Sequence, residues 1–165
     1  MRAIVVYESH WGNTAAVARA IAEGIGPETR VMSTAEATAA AIGDADLIVV
    51  GSPLLGFRLP NEGMLQSLAR GADQDPVPPD LSHPSMRTWL ERLPKGSAAV
   101  AAFETRIWWS PGSAAKAILK EMEQAGYRPI AKPQKYIVKG KYGPLRDGEL
   151  EKAKAWGEEL TRSVE

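Results

Sequence analysis

The chain has no cysteine, only two histidines and no excess of either charge, with Lys+Arg 20 against Asp+Glu 20 over 165 residues. The first absence excludes disulfides, zinc–thiolate sites, Cys-ligated iron–sulfur clusters and thiol nucleophiles together. Two histidines, His10 and His83, are too few for a metal site, and no metal ligand set is assigned. The balanced charge supplies no drive toward nucleic acid or anionic lipid. No apolar run reaches the roughly 18 residues of a membrane span, and Ala3–Tyr7 is too short for a secretory apolar region. A cytoplasmic location is the expectation that follows.

What is present is the composition of one ordinary soluble domain, residues 1–165, with 44% hydrophobic and 24% charged residues. Ala3–Tyr7 and Asp46–Gly51 are unbroken apolar, β-branched runs, the pattern of strands buried on both faces. Ser97–Phe103 reads as another such strand, Arg30–Ser33 as a short one, and a last one lies within Tyr127–Lys139. Between them, Thr14, Val17, Ala18, Ile21 and Ile25 make a helical stripe, ended by Gly24, Gly26 and Pro27. Further helices are expected at Thr34–Ile42, near Asn61–Arg70, at Met86–Leu93, from Ser110-Pro111 to Gly126, and from about Asp147. The last presents Leu150, Ala153, Trp156, Leu160 and Val164 inward, while Trp89 and Trp156 are most simply core. The stretch holding Pro76, Pro78, Pro79 and Pro84 reads as a surface loop, with His83 on the surface. Strands alternating with helices give an α/β fold, a doubly wound parallel sheet in a three-layer α/β/α arrangement. Ligands then bind beyond the carboxyl ends of the strands, which directs attention to Glu8–Thr14, Ser52–Asn61 and Glu104–Gly112.

The first of these loops, Glu8-Ser9-His10-Trp11-Gly12-Asn13-Thr14, opens directly into a helix. A helix N-terminus carries unpaired N–H groups and about half a positive charge, which suits an anion. Ser9, Asn13 and Thr14 add side-chain donors, Gly12 lets the backbone close, and neither lysine nor arginine is present. The patterns of a P-loop and of a dinucleotide-binding turn are both absent. The run Val5-Val6-Tyr7-x-Ser9-x-x-Gly12-x-Thr14-x-x-x-Ala18-x-x-Ile21 resembles the flavodoxin signature at every defined position. That resemblance implies a short-chain, flavodoxin-like domain with a five-stranded sheet in the order 2-1-3-4-5 and FMN at the switch point. It also implies that Ser9, His10, Trp11, Gly12, Asn13 and Thr14 surround the FMN phosphate. For His10 the alternatives are contact with phosphate or ribityl, or simple solvation. The alternative for Ser9 and Thr14 is that they only cap a helix.

The resemblance extends to two loops that hold the flavin ring. Pro53, Leu54, Leu55, Gly56 and Phe57 are similar to the peptide that packs one ring face and turns a carbonyl toward the reduced flavin, with Arg58 next to it. Glu104, Thr105, Arg106, Trp108, Trp109 and Gly112 correspond to the loop that reads the pyrimidine edge and stacks an aromatic on the other face. Tryptophan stands here where the family commonly has tyrosine, and the residues do not choose between Trp108 and Trp109. A catalytic acid, base or nucleophile is not assigned, and Glu8 with Glu104 is not argued as an acid–base pair.

Three functions follow from this reading. The first is an FMN-binding redox protein passing electrons to a redox partner protein in the cytosol. The second is a small FMN-dependent NAD(P)H:quinone oxidoreductase or protoporphyrinogen-oxidase-like flavoenzyme, with a small-molecule partner of the NAD(P)H or quinone type. The third is a flavodoxin-fold interaction domain without flavin. Electron-carrier flavodoxins are typically acidic, whereas this chain is neutral and places Arg58 and Arg106 in the ring loops, which weakens a shuttle role toward basic partners.

Overall fold

The computed structural model describes residues 1–164. In chain order the elements are β1 (Ala3–Tyr7), α1 (Asn13–Ile25), β2 (Arg30–Ser33), α2 (Ala39–Ile42), β3 (Leu47–Pro53), α3 (Glu62–Gly71), α4 (Met86–Glu91), β4 (Ala99–Ile107), α5 (Ala114–Gln124), β5 (Arg128–Pro129), β6 (Gln134–Val138) and α6 (Glu149–Val164). All strand pairs are parallel, and the order is β2-β1-β3-β4-β5, with β6 also paired to β4. The expected five positions are therefore present, but the fifth is shared by two short strands. Pro129 and Pro133 cannot donate to the ladder, and the chain leaves it between Ile130, still bonded to Val100, and Gln134.

Period-2 alternation divides the buried runs between two cores. Ile4, Val6, Ile48, Val50, Val100 and Ala102 pack toward Met86, Trp89 and Leu90 of α4 and Ile118 and Met122 of α5. Val5, Val49, Ala101 and Phe103 pack toward Val17 and Ile21 of α1 and Trp156 and Leu160 of α6. Each fully buried aliphatic side chain contributes about 1.5–3 kcal/mol, so both faces are tightly specified. Helix–sheet–helix layering follows.

Several local expectations are corrected. Residues 34–36 form a turn in which Glu36 N–H and Ala37 N–H donate to Ser33 O, and α2 begins only where Thr38 accepts from Ala41 N–H. β4 continues to Ile107, because Leu54 N–H and the β6 ladder keep pairing it, so Glu104–Ile107 is strand and not loop. Ser113, not Ser110, caps α5, and Pro111 lies outside it. α1 ends at Ile25 with Gly26 as its cap, as expected, so Gly24 lies just inside its last turn. In α6, Leu150 is exposed and Glu149 turns inward, where its carboxylate accepts from Ile137 N–H at 2.7 Å. His83 is buried, since the proline-rich segment is not a free surface loop but is bonded across the first loop.

Candidate functional site

At the carboxyl ends of β1, β3, β4 and β6 lies a cleft of ≈ 180 Å³. Its walls carry Ser9, His10, Trp11, Asn13 and Thr14 from the first loop, Pro53–Gly56 from the second, and Thr105 and Arg106 from β4. These residues from three separate segments were singled out in the sequence, and folding brings them together. Gly12 lies between lining residues, in a left-handed conformation (φ 88°) that a side chain would strain. Glu104, Phe57, Trp108, Trp109 and Gly112 do not line the cleft.

The first loop ends in a ready set of donors. Gly12 O closes the first turn by accepting from Ala16 N–H, which leaves the N–H groups of Asn13, Thr14 and Ala15 facing out of the helix end. The Thr14 and Thr105 hydroxyls lie 2.7 Å apart. The Ser9 hydroxyl is buried with no hydrogen-bond partner among the described residues. An unpaired buried hydroxyl costs about 1–3 kcal/mol, so something other than stability places it there.

Behind this loop lies a buried ionic cluster. His10 Nε2 is 2.6 Å from Glu8 Oε2, and His10 Nδ1 is 2.7 Å from the Asp80 carbonyl oxygen. Both partners only accept, so both ring nitrogens donate, which requires the imidazolium form. Burial opposes that charge, but the Glu8 carboxylate and Asp80, with its carbonyl and its charge, together outweigh it and hold the His10 pKa above the ordinary histidine value. His83 has the opposite part. Its Nε2 accepts from Ser9 N–H at 2.9 Å and must carry no proton, and burial, with His10 beside it, pushes its pKa down. Of the alternatives for His10, solvation is excluded, and its ring nitrogens are already committed.

The second wall is a tight hairpin. Leu55 and Arg58 exchange both main-chain bonds at 3.0 Å, and Gly56 (φ 51°) and Phe57 (φ 68°) both have positive φ, as a type I′ turn requires. Phe57 is half exposed at this strained position. Its carbonyl oxygen packs so closely on Gly112 (φ 93°) that an added Cβ there would collide with it. The hairpin thus touches the turn that carries Trp108 and Trp109, which are 72% and 59% exposed. Glu104 faces the other way. Its Oε1 accepts from Ser113 Oγ at 2.8 Å and Ala115 N–H at 3.2 Å, fixing the start of α5, and Arg106 lies 3.2 Å from its Oε2.

A fourth wall escaped the sequence reading: Val138, Gly140 and Lys141, from the end of β6 and the loop after it, with Leu68 of α3. Lys141 Nζ lies 5.4 Å from the Trp11 ring centre and 5.3 Å from that of Tyr142, and pairs with Asp75 at 3.2 Å. Trp11 also donates to the Val77 carbonyl at 2.9 Å. The only available signal was the Gly-Lys-Tyr-Gly run after the last strand, whose place in the sheet depended on the break at Pro133.

No family model and no curated protein matches the chain. Solved structures do. A flavodoxin from the domain Archaea superimposes with a TM-score of 0.69 at 24% identity, covering 99% of each chain. The fold is flavodoxin-like. Oxidised flavodoxin 1 from Bacillus cereus gives 0.68 at 16% identity over 98% of each chain. The flavodoxin-like fold also spans 36% of rubredoxin oxygen:oxidoreductase from Desulfovibrio gigas, with a TM-score of 0.61 and 20% identity over 99% of this chain. Identities this low speak for the flavodoxin-like fold alone. No helix among the described residues is long and apolar enough to cross a membrane, and no group of His, Asp and Glu there could hold a metal ion.

Proposed function

We propose that the cleft binds FMN and that the protein passes electrons between this flavin and a partner. One observation carries the reading. The buried, unpartnered Ser9 hydroxyl lies in the loop leading to the open N–H groups at the start of α1, in a cleft whose walls also carry the apolar Pro53, Leu54, Leu55, Ile107 and Val138 beside Arg106 and Lys141. That donor set fits a phosphate bound without cations, and the apolar walls fit a flat ring. Fully solvated ligands would need neither.

Bound FMN would supply the redox chemistry, and this chain's residues would orient it and set its electrostatics. Ser9, Thr14 and the N–H groups of Asn13–Ala15 would hold the phosphate. Leu54, Leu55 and the Gly56–Phe57 turn would pack the ring, and one of Trp108 and Trp109 would gain cover from it while the other stays exposed on the turn. Arg106 lines the cleft with its charge paired to Glu104, so it would offer the ring edge hydrogen-bond donors more than a net positive field.

The test is FMN titration of the apoprotein, followed by fluorescence, with a Ser9→Ala variant. The variant should bind FMN roughly tenfold or more weakly, the cost of one hydrogen bond to a charged group. Its apoprotein should melt at the same temperature or higher, because an unsatisfied buried hydroxyl has been removed. Equal affinity in the variant would remove Ser9 from the phosphate site. A folded wild-type protein that takes up no FMN would end the redox reading and leave an interaction domain. Rapid reduction of the bound flavin by NAD(P)H alone would move the assignment from carrier to flavoenzyme.

A further inference from the structure

Beside the cleft, and sharing Arg106 with it, lies a second groove of ≈ 620 Å³ between the start of α5 and β6. Lys116, Lys132, Lys135 and Lys152 line it, and none of them forms an ion pair among the described residues. The one carboxylate in the lining, Glu104, is buried against Arg106 and Ser113. A chain with no net charge has therefore gathered a strong local excess of positive charge next to its candidate cofactor cleft. Trp108 and Trp109 stand on the turn between Arg106 and Gly112, both of which line the groove, and are the most exposed large apolar side chains of the chain's described residues.

We propose that this groove and the tryptophan turn form the docking surface for an acidic electron-transfer protein. The inference rests on the FMN reading above and specifies its partner. Unpaired like charges around a small apolar contact are suited to a transient complex, in which charge steers encounter and the apolar centre makes brief contact. Two of the lysines also have a local duty. β6 is an edge strand, and Lys152 Nζ donates to Lys135 O at 3.1 Å, which blunts that edge. Edge protection accounts for neither Lys116 on α5 nor the exposed tryptophans. A nucleic acid would want a longer basic track than one groove, on a chain whose charge is balanced.

The test uses the triple variant Lys116→Glu, Lys132→Glu, Lys135→Glu, none of which lines the FMN cleft. In the first arm the apoprotein is titrated with fluorescent decaglutamate and, separately, with a ten-residue oligothymidylate. In the second arm the FMN-loaded, reduced protein is oxidised by ferricyanide or by hexaamminecobalt(III). Two ions of either oxidant each take one electron per fully reduced flavin, and the flavin's protons go to solvent. Wild type should bind decaglutamate in a salt-sensitive way and react faster with ferricyanide at low ionic strength. The variant should bind the peptide about tenfold or more weakly, lose a similar factor with ferricyanide, and gain with hexaamminecobalt(III). Unchanged peptide binding and rates in the variant would overturn the proposal, as would tighter binding of the oligonucleotide than of the peptide. Failure to load FMN at all would strike the earlier reading, while the peptide arm would still report on the groove.

Discussion

Glu8→Ala is expected to lower stability by about 3–5 kcal/mol, a fall in Tm of roughly 6–20 °C by thermal melting. The carboxylate is fully buried and makes two contacts that nothing else can replace. Its Oε2 faces His10 Nε2 at 2.6 Å, and its Oε1 accepts from Met86 N–H at 2.6 Å, at the first residue of α4. Alanine would leave a buried imidazolium and a buried N–H without partners. The loss would spread, because the same cluster ties down the proline-rich segment. Asp80 N–H donates to His10 O at 2.8 Å, His10 Nδ1 donates back to Asp80 O, and His83 receives Ser9 N–H. Amide exchange between residues 75 and 86 should therefore accelerate in the variant at temperatures where the remainder stays protected. Glu8→Gln keeps an acceptor for Met86 and should lose less. A Glu8→Ala protein as stable as wild type would show that the cluster holds nothing together.

The two histidines give the same cluster a signature in pH. His10 is protonated in the folded state with a pKa raised above its unfolded value near 6.5, so its contribution is complete below that pH and is lost as pH rises through the folded value. The His83 pKa is lowered, so the folded state resists protonation there; stability is retained above about 6.5 and falls as the pH drops toward the folded value. Urea melts of wild type should show both slopes, and His83→Asn should remove the acidic one. If the cleft takes FMN as proposed, release of the flavin on mild acidification would fit a His83 that, once protonated, no longer accepts from Ser9.

The sequence carried the layered fold and the strand order better than the surroundings of individual side chains. The pattern from Val5 to Ile21 marked the loop, the helix start and the side of the sheet together, because a tight turn between a buried strand and a helix constrains many positions at once. Residues whose environment is made by distant chain were not legible. His83 reads as surface among prolines until Ser9, which lies 74 residues away, donates to it. Glu149 faces in where Leu150 was expected, because an unpaired N–H of β6 needs an acceptor and the exposed leucine needs none. Lys141 joined the cleft only through a strand interrupted by prolines.

Gly24 shows the same limit most sharply, and with Gly157 it supports the second large prediction. In the sequence Gly24 passes for a helix terminator; in the fold it lies within α1, against α6. A Cβ on Gly24 would strike the Lys154 carbonyl oxygen, and one on Gly157 would strike the Ile21 carbonyl oxygen. The two glycines therefore let the helices cross backbone to backbone, with Ile21, Trp156 and Leu160 closing the core beside them. Main-chain atoms cannot rotate away as a side-chain end would, so an added methyl must push the helices apart and loosen that packing. Gly157→Ala should cost roughly 2 kcal/mol or more by denaturant melting, although alanine is intrinsically the better helix former by about 1 kcal/mol. Gly71→Ala is the control. It ends α3 with no atom near an added Cβ, and should be neutral or stabilising by up to about 1 kcal/mol. If both variants gained stability, helix propensity alone would govern these sites and the close crossing of α1 and α6 would be refuted.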